Sequence, residues 1–405
     1  MRARELGLRI GLLEPGANDA ITDIPGVAVG HTTLIRGDGP LVVGQGPVRT
    51  GVTVVIPHSD DVWTEPVFAG CHRLNGNGEL TGLEWVRESG MLGGVIGITN
   101  THSVGVVRDA LVAHAARNRA NESVFWSLPV VGETYDGALN DMNGFHVKPS
   151  HVDAAIEGAS GGFVAEGNVG GGTGMICHEF KGGIGTASRR LPAGDGGWTV
   201  GALVQANYGS RELLRVDGVP VGQAIPKSEV PSPWDQQEAV AAAEATDAAP
   251  GMSSATTHAA QGLSSRTGPG GGSIIVVLAT DAPLLPHQCE RLAQRAGLGL
   301  ARMGSIASHG SGDLFIAFAT GNRGLSRTAG ERDPNRTVDV RMVVDRAISP
   351  LFQAAVEATE AAVVNALLAA LTMTGRDGIT AHALDHERLL DVMARYGRGP
   401  RAGAG

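Results

Sequence analysis

The stretch Gly268 to Thr280, GPGGGSIIVVLAT, constrains this chain more than any other. A segment able to bend at almost every residue ends at Ser273. An unbroken apolar, β-branched run begins there, the pattern of a strand covered on both faces. Such a strand needs a sheet with further layers above and below it. It also sets a hydroxyl at the mouth of that sheet, carried by a rigid element and reached through a pliant one. The residues leave two readings open. Ser273 is simply the first residue after a glycine-rich turn, or the chain cuts itself between Gly272 and Ser273 and frees Ser273 as a new N-terminus. Gly272 suits the second, because a strained peptide needs a residue that tolerates unusual φ and ψ. The released α-amine, with an ordinary pKa of about 8, can take the proton from its own hydroxyl at neutral pH.

Strands and helices alternate elsewhere, which favours a layered α/β protein. A Pro-Gly turn precedes an alternating strand within Ile21 to Leu34, and Val52 to Pro57 reads as a buried strand. A helix-like stretch follows Asn75-Gly-Asn-Gly, with Leu80, Leu83 and Trp85 on its apolar side. Val95 to Ile98 and Val124 to Val131 read as strands, with a helix over Val106 to Ala116 between them. Another strand is expected at Thr199 to Ala206. Pro220 to Gly272 is rich in Ala, Ser, Pro, Gly and Thr, and reads as a linker. Beyond it come strand 273–280, a helix from about Pro286 to Arg302 and a buried strand from Leu314 to Thr320. Ser349-Pro350 opens a long Ala- and Leu-rich helix that is expected to run to about Gly375 and to be covered on more than one side.

Composition narrows the class. The 60 glycines are about twice the usual share, so many tight turns and close backbone approaches are expected. A net charge of −9 argues against nucleic acid and anionic membranes as partners. Cys71, Cys177 and Cys289 are far apart and odd in number, which fits a reducing compartment. The first residues hold no apolar stretch long enough for a signal peptide, and no run is read as long enough to span a membrane. The expectation is a soluble cytoplasmic protein without cofactor or metal. His31, His58, His72 and His102 share no ligand spacing. Cys177-His178 reads as a packed thiol beside a surface imidazole, and Asp136 and Asp141 as holders of a turn. Asn168 to Ser188 is glycine-rich but matches neither phosphate-loop pattern, so backbone packing is expected there.

If the two strands of the C-terminal strand–helix–strand unit are parallel neighbours, their beginnings share one sheet edge. Ser311-Gly-Asp313 would then stand beside Ser273, either as a common polar turn or as a hydroxyl–carboxylate pair supporting a nucleophile. The pattern GGGSIIVVLATDAPL followed by SGDLFIAFATGN resembles peptidase family S58, the self-processing serine aminopeptidases and β-aminopeptidases of the DmpA type. The segments TDIPGVAVGHTT, FAGCHRLNGNGELTGLEW, ITNTHSVG, ETYDGALND, GNVGGGTGM, FKGGIGTASR, ANYG and TMTGRDG extend that resemblance over nearly the whole chain. It implies a four-layer αββα sandwich of the N-terminal-nucleophile type. It also implies one domain made of two chains, residues 1–272 and 273–405, and a homo-oligomer, a tetramer. By motif, Gly272 and Ser273 flank the self-cleaved bond, Ser273 is the nucleophile, and Ser311 and Asp313 support it. By the same resemblance Asn207 would be the oxyanion donor, Tyr135 would contact the reacting centre, and Glu133 would read the substrate ammonium. Substrates would be small peptides, amino-acid amides or esters. A related hydrolase of amide oligomers, an acyltransferase, or an unprocessed binding protein on the same fold are the alternatives.

Overall fold

The computed structural model describes residues 1–119, 125–247, 272–325 and 337–400. Strands β1 (Ala28–Arg36), β2 (Val48–Ile56) and β3 (Val67–Gly76) precede the short helix α1 (Leu83–Ser89). Next come β4 (Met91–Leu92), β5 (Ile96–Asn100), α2 (Val104–Arg117), β6 (Val130–Thr134) and α3 (Pro149–Glu157). A tight pair, β7 (Ile176–Cys177) and β8 (Phe180–Lys181), leads into β9 (Gly183–Arg190) and β10 (Thr199–Asn207). Helices α4 (Val221–Ala224) and α5 (Pro233–Asp247) lie before β11 (Ser273–Thr280), α6 (Pro286–Arg302) and β12 (Gly312–Ala319). The chain closes with α7 (Ser349–Ala369), the hairpin β13 (Met373–Thr374) and β14 (Thr380–Ala381), and α8 (His386–Arg395).

Two sheets stack. One has the order β1-β2-β5-β6, the other β4-β3-β12-β11-β10-β9. Strand β11 shows why the layers must be four. Ile275, Val277 and Ala279 join Ile98, Val130 and Phe318 in the core between the sheets, while Ile274, Val276 and Leu278 join Leu292 of α6 and Val363 of α7 on the other face. Alternation of period two thus buries both faces, and each aliphatic side chain so buried contributes roughly 1.5–3 kcal/mol. Helices α2 and α3 cover the outer face of the smaller sheet through Val107, Leu111, Val152 and Ala155. The result is the expected αββα sandwich.

Helix α7 is apolar almost all round because it is covered almost all round, as read from its sequence. The N-terminal arm lies over it: Glu357 accepts the Leu12 and Leu13 N–H groups, and Asn365 accepts that of Ala3. The segment Asp345–Ala369 is, contrary to expectation, long and apolar enough to cross a membrane, yet 89% of that window is buried inside the protein, which makes it a core helix.

Three further expectations are corrected. The strand placed at Val124 to Val131 is β6, beginning only at Val130, since Pro129 has no N–H to give a ladder; residue 124 lies outside the described residues. The long helix ends at Ala369 rather than near Gly375, which instead turns the β13–β14 hairpin against Leu139. The linker read over 220–272 is folded as far as residue 247, and its remainder, 248–271, lies outside the described residues. Its Ala-rich run is α5, as the helix propensity of Ala allows. Gln236 ties α5 to the hairpin, donating to the Thr380 carbonyl at 3.0 Å and accepting the Thr380 N–H at 2.9 Å.

Candidate active site

Strand pairing alone gathers most of the site. β11 and β12 are parallel neighbours with Ile274 opposite Asp313, as the strand–helix–strand reading requires. β10 runs antiparallel on the other side of β11 and sets Asn207 directly opposite Ser273. The smaller sheet is brought against this edge by Gly132 of β6, where a Cβ would press on the Ile275 side chain. The residues after Gly132, Glu133 and Tyr135, thereby arrive at the start of β11.

Ser273 is buried, and its hydroxyl accepts the Gly312 N–H at 3.0 Å. Gly272 leads into it with φ +112°, and a Cβ there would collide with the carbonyl oxygen of Asn207, so no other residue fits that position. The Ser311 hydroxyl donates to the Asp313 carboxylate at 2.8 Å and accepts from Asn75 Nδ2 at 2.9 Å. Burial pushes the Asp313 carboxyl up to about 6, with the Ser311 bond opposing it. This pair borders a small cavity of about 10 Å³, shared with Tyr208 and Ser308, rather than the cleft that Ser273 opens into. The direct contact to Ser273 comes from the backbone of Gly312 between the two residues.

The cleft itself measures about 450 Å³ and is bordered by Ser273, Asn207, Glu133 and Tyr135 together. Asn207 is held from two sides: its Oδ1 accepts the Ile176 N–H at 2.8 Å, and Nδ2 donates one hydrogen to the Tyr135 carbonyl at 2.9 Å. These partners fix which end of the amide is the donor and leave its second N–H for the cleft. Glu133 is nearly inaccessible, with Oε1 accepting the Glu79 N–H at 3.0 Å and Oε2 the Thr101 hydroxyl at 2.5 Å. Burial holds its carboxyl above the usual range against the pull of those donors. Burial also pushes the Tyr135 hydroxyl up, so it stands as a neutral phenol, hydrogen-bonded to Gln237 of α5.

Several groups at the cleft carry no motif that singles them out. Thr101 and the backbone of Glu79 orient Glu133, and Trp234 and Gln237 come from the segment read as a linker. His102, set aside as a metal ligand, lines the cleft and stacks on Phe145 at 5.8 Å. His178 is corrected: it is fully buried, not at the surface, with Nδ1 3.0 Å from the Ser210 carbonyl, whereas Cys177 is packed as expected. Asp136 and Asp141 do hold the turn after Tyr135. Asp136 accepts from Asn100 Nδ2 at 2.9 Å, and Asp141 from the Gly44 N–H at 2.7 Å and from His146 Nε2 at 2.8 Å when that nitrogen is protonated. The Gly170–Gly172 turn packs between the sheets, where a Cβ on Gly171 would collide with Gln205.

Comparison with known proteins bears on the fold and the family. The model of peptidase family S58 matches residues 19–381. The chain is 47% identical over 397 residues to the β-peptidyl aminopeptidase BapA of Sphingosinicella microcystinivorans, covering 98% of this chain and 93% of that one. It is 42% identical over 405 residues to the BapA of Sphingosinicella xenopeptidilytica, with 98% and 92% covered. Among solved structures, a Burkholderia sp. β-aminopeptidase superposes with a TM-score of 0.84 at 51% identity, over 98% of this chain and 99% of the other. The L-aminopeptidase D-Ala-esterase/amidase of Ochrobactrum anthropi, described as a prototype serine aminopeptidase with a variant Ntn-hydrolase fold, gives 0.83 at 42% identity, with 98% and 99% covered. The fold, the cleft and the full-length matches lead to one conclusion: the chain belongs to peptidase family S58 and is an aminopeptidase.

Proposed function

We propose that the chain cleaves itself between Gly272 and Ser273 and then hydrolyses amides, esters and short peptides that carry a free amino end, β-aminoacyl ones included. The names of its relatives support the β-aminoacyl preference. What carries the reading is one observation: Ser273, Asn207 and Glu133 line the same cleft. The α-amine of Ser273 takes the proton from its hydroxyl, and the oxygen attacks the substrate carbonyl. The second N–H of Asn207 receives the developing oxyanion. The amine then protonates the leaving group, and water, activated by the same amine, releases the acyl group from Ser273. Ser311 and Asp313 hold the start of β12 against Ser273, and Tyr135 forms the opposite wall. Glu133 binds the substrate ammonium by charge-assisted hydrogen bonds, stronger than neutral ones.

The test compares kcat/KM for a free and an N-acetylated aminoacyl amide on wild type and Glu133→Gln. Wild type should turn over the acetylated compound very poorly, and the variant should lose most of its preference for the free amine. Equal hydrolysis of both by wild type would overturn the reading. A homo-tetramer in the cytoplasm belongs to the same proposal; the three buried, unpaired thiols support the compartment, and light scattering of the purified protein checks the assembly.

A further inference from the structure

Lys181, in β8, is a cation without any exposure to solvent. Among the described residues no carboxylate lies within ion-pair reach of it. Its ammonium instead donates to three backbone carbonyls, of Met175 at 2.7 Å, Gly182 at 2.8 Å and Gly172 at 3.3 Å. A buried charge that satisfies only neutral carbonyls is costly, and the fold keeps it. One of these carbonyls stands out. Met175 C=O and Ile176 N–H belong to the same peptide unit, and that N–H is the one that donates to Asn207 Oδ1 at 2.8 Å.

We propose that Lys181 is a positioning residue for the oxyanion donor, acting through a continuous chain of three polar links: ammonium to the 175–176 peptide, peptide to the Asn207 amide, and amide to the oxyanion. Each link strengthens the next. The ammonium draws electron density from Met175 C=O and makes the Ile176 N–H a better donor. That donor draws density from Asn207 Oδ1, and the Asn207 N–H facing the cleft becomes a better donor in turn. The same links hold the amide in one orientation, with its other hydrogen on the Tyr135 carbonyl at 2.9 Å. Position and polarity of the hole are thereby set by a charge that never meets the substrate. The inference rests on Asn207 being the oxyanion donor.

Lys181→Met keeps the bulk of the side chain and removes its charge, and Lys181→Arg keeps the charge. Lys181→Met should lower kcat by roughly 10-fold while KM stays within about two-fold, because the lost polarisation acts on the transition state and not on ground-state binding. Lys181→Arg should recover most of that loss. A second readout is the infrared stretch of a ¹³C-labelled acyl carbonyl on Ser273, formed with a slowly deacylating aminoacyl ester; it should move to higher frequency in Lys181→Met, as less polarisation reaches the carbonyl. Should no neutral variant fold, the same stretch is followed in wild type across the Lys181 titration. Burial pulls that ammonium down to about 7, and the titratable neighbour facing it, Cys177, is pushed up to about 12 and stays neutral in the window. The Ser273 α-amine and Asp313 also titrate near this window, so Lys181→Arg, charged throughout it, is the control. The stretch should rise as pH passes above the Lys181 value in wild type and rise less in Lys181→Arg. Unchanged kcat, or an unshifted stretch in either format, overturns the relay. Asn207→Ala run in parallel separates the two ideas: if it leaves kcat intact, Asn207 is not the donor, whereas a large loss there beside a silent Lys181→Met removes the relay alone.

Discussion

Asn207 has one N–H bound to the Tyr135 carbonyl and the other free for an incoming oxyanion, with Oδ1 anchored by Ile176. Asn207→Ala should therefore lower kcat by roughly two to three powers of ten, the loss typical of one such donor. Steady-state kinetics on protein already processed gives the direct check. At this scale Ser273 was legible from the loop–strand junction itself, whereas Asn207, Tyr135 and Glu133 came only through the resemblance of their segments to the family. The groups that orient them came through neither. Gly312 and Glu79 act through backbone N–H groups, which every residue but proline carries, and the Lys181 ammonium contacts only carbonyls. The family motifs put Ser311 and Asp313 in support of Ser273; in the fold they stand at the start of the strand beside β11 and border the cavity behind the cleft, and Gly312 between them makes the contact to Ser273.

Elements decide how rigid the cleft is. Gly272 must adopt φ +112° against the Asn207 carbonyl, so Gly272→Ala introduces both strain and a collision. Self-cleavage of that variant should be slowed or abolished, read as uncut chain on a denaturing gel over time. Trp234 of α5 is buried among Leu139, Ile176 and Ile379 while it borders the cleft. Trp234→Ala should cost about 3–5 kcal/mol in chemical denaturation, and should raise KM as that wall collapses. Helix α5 was read as linker because its first face is polar and its large apolar residues few; the single Trp that docks it carries no period. Asp136, which holds the turn after β6, gives an element-scale test in pH. Burial raises its carboxyl from 3.8 to about 6, so between these values the native state keeps a proton that the unfolded state has released. Stability from this group is fully present below the unfolded value and is lost as pH rises through about 6. Melting temperatures of wild type and Asp136→Asn, compared between about pH 4 and pH 7, should show wild type losing ground to the variant as pH rises. A constant difference would mean that Asp136 does not titrate in that range.

For the whole molecule, the layered α/β class followed from alternating strand and helix patterns, whereas the αββα stacking came from the family resemblance. Nothing in a strand's own residues says which of two sheets it joins; here β3 and β12, far apart in sequence, pair in the larger sheet while β5 and β6 pair in the smaller. That division brings the start of β11, in the larger sheet, against β6 of the smaller, with Gly272–Ser273 lining the cleft. Self-cleavage there is the central claim, and the most direct measurement is intact mass and N-terminal sequencing of the purified protein, beside Ser273→Ala. The 41.6 kDa chain should separate under denaturing conditions into fragments of roughly 28 and 14 kDa, the smaller beginning Ser-Ile-Ile-Val, and activity should follow their appearance. Ser273→Ala should stay in one piece and inactive. A single uncut chain with full aminopeptidase activity, or cleavage at any other bond, would contradict the account.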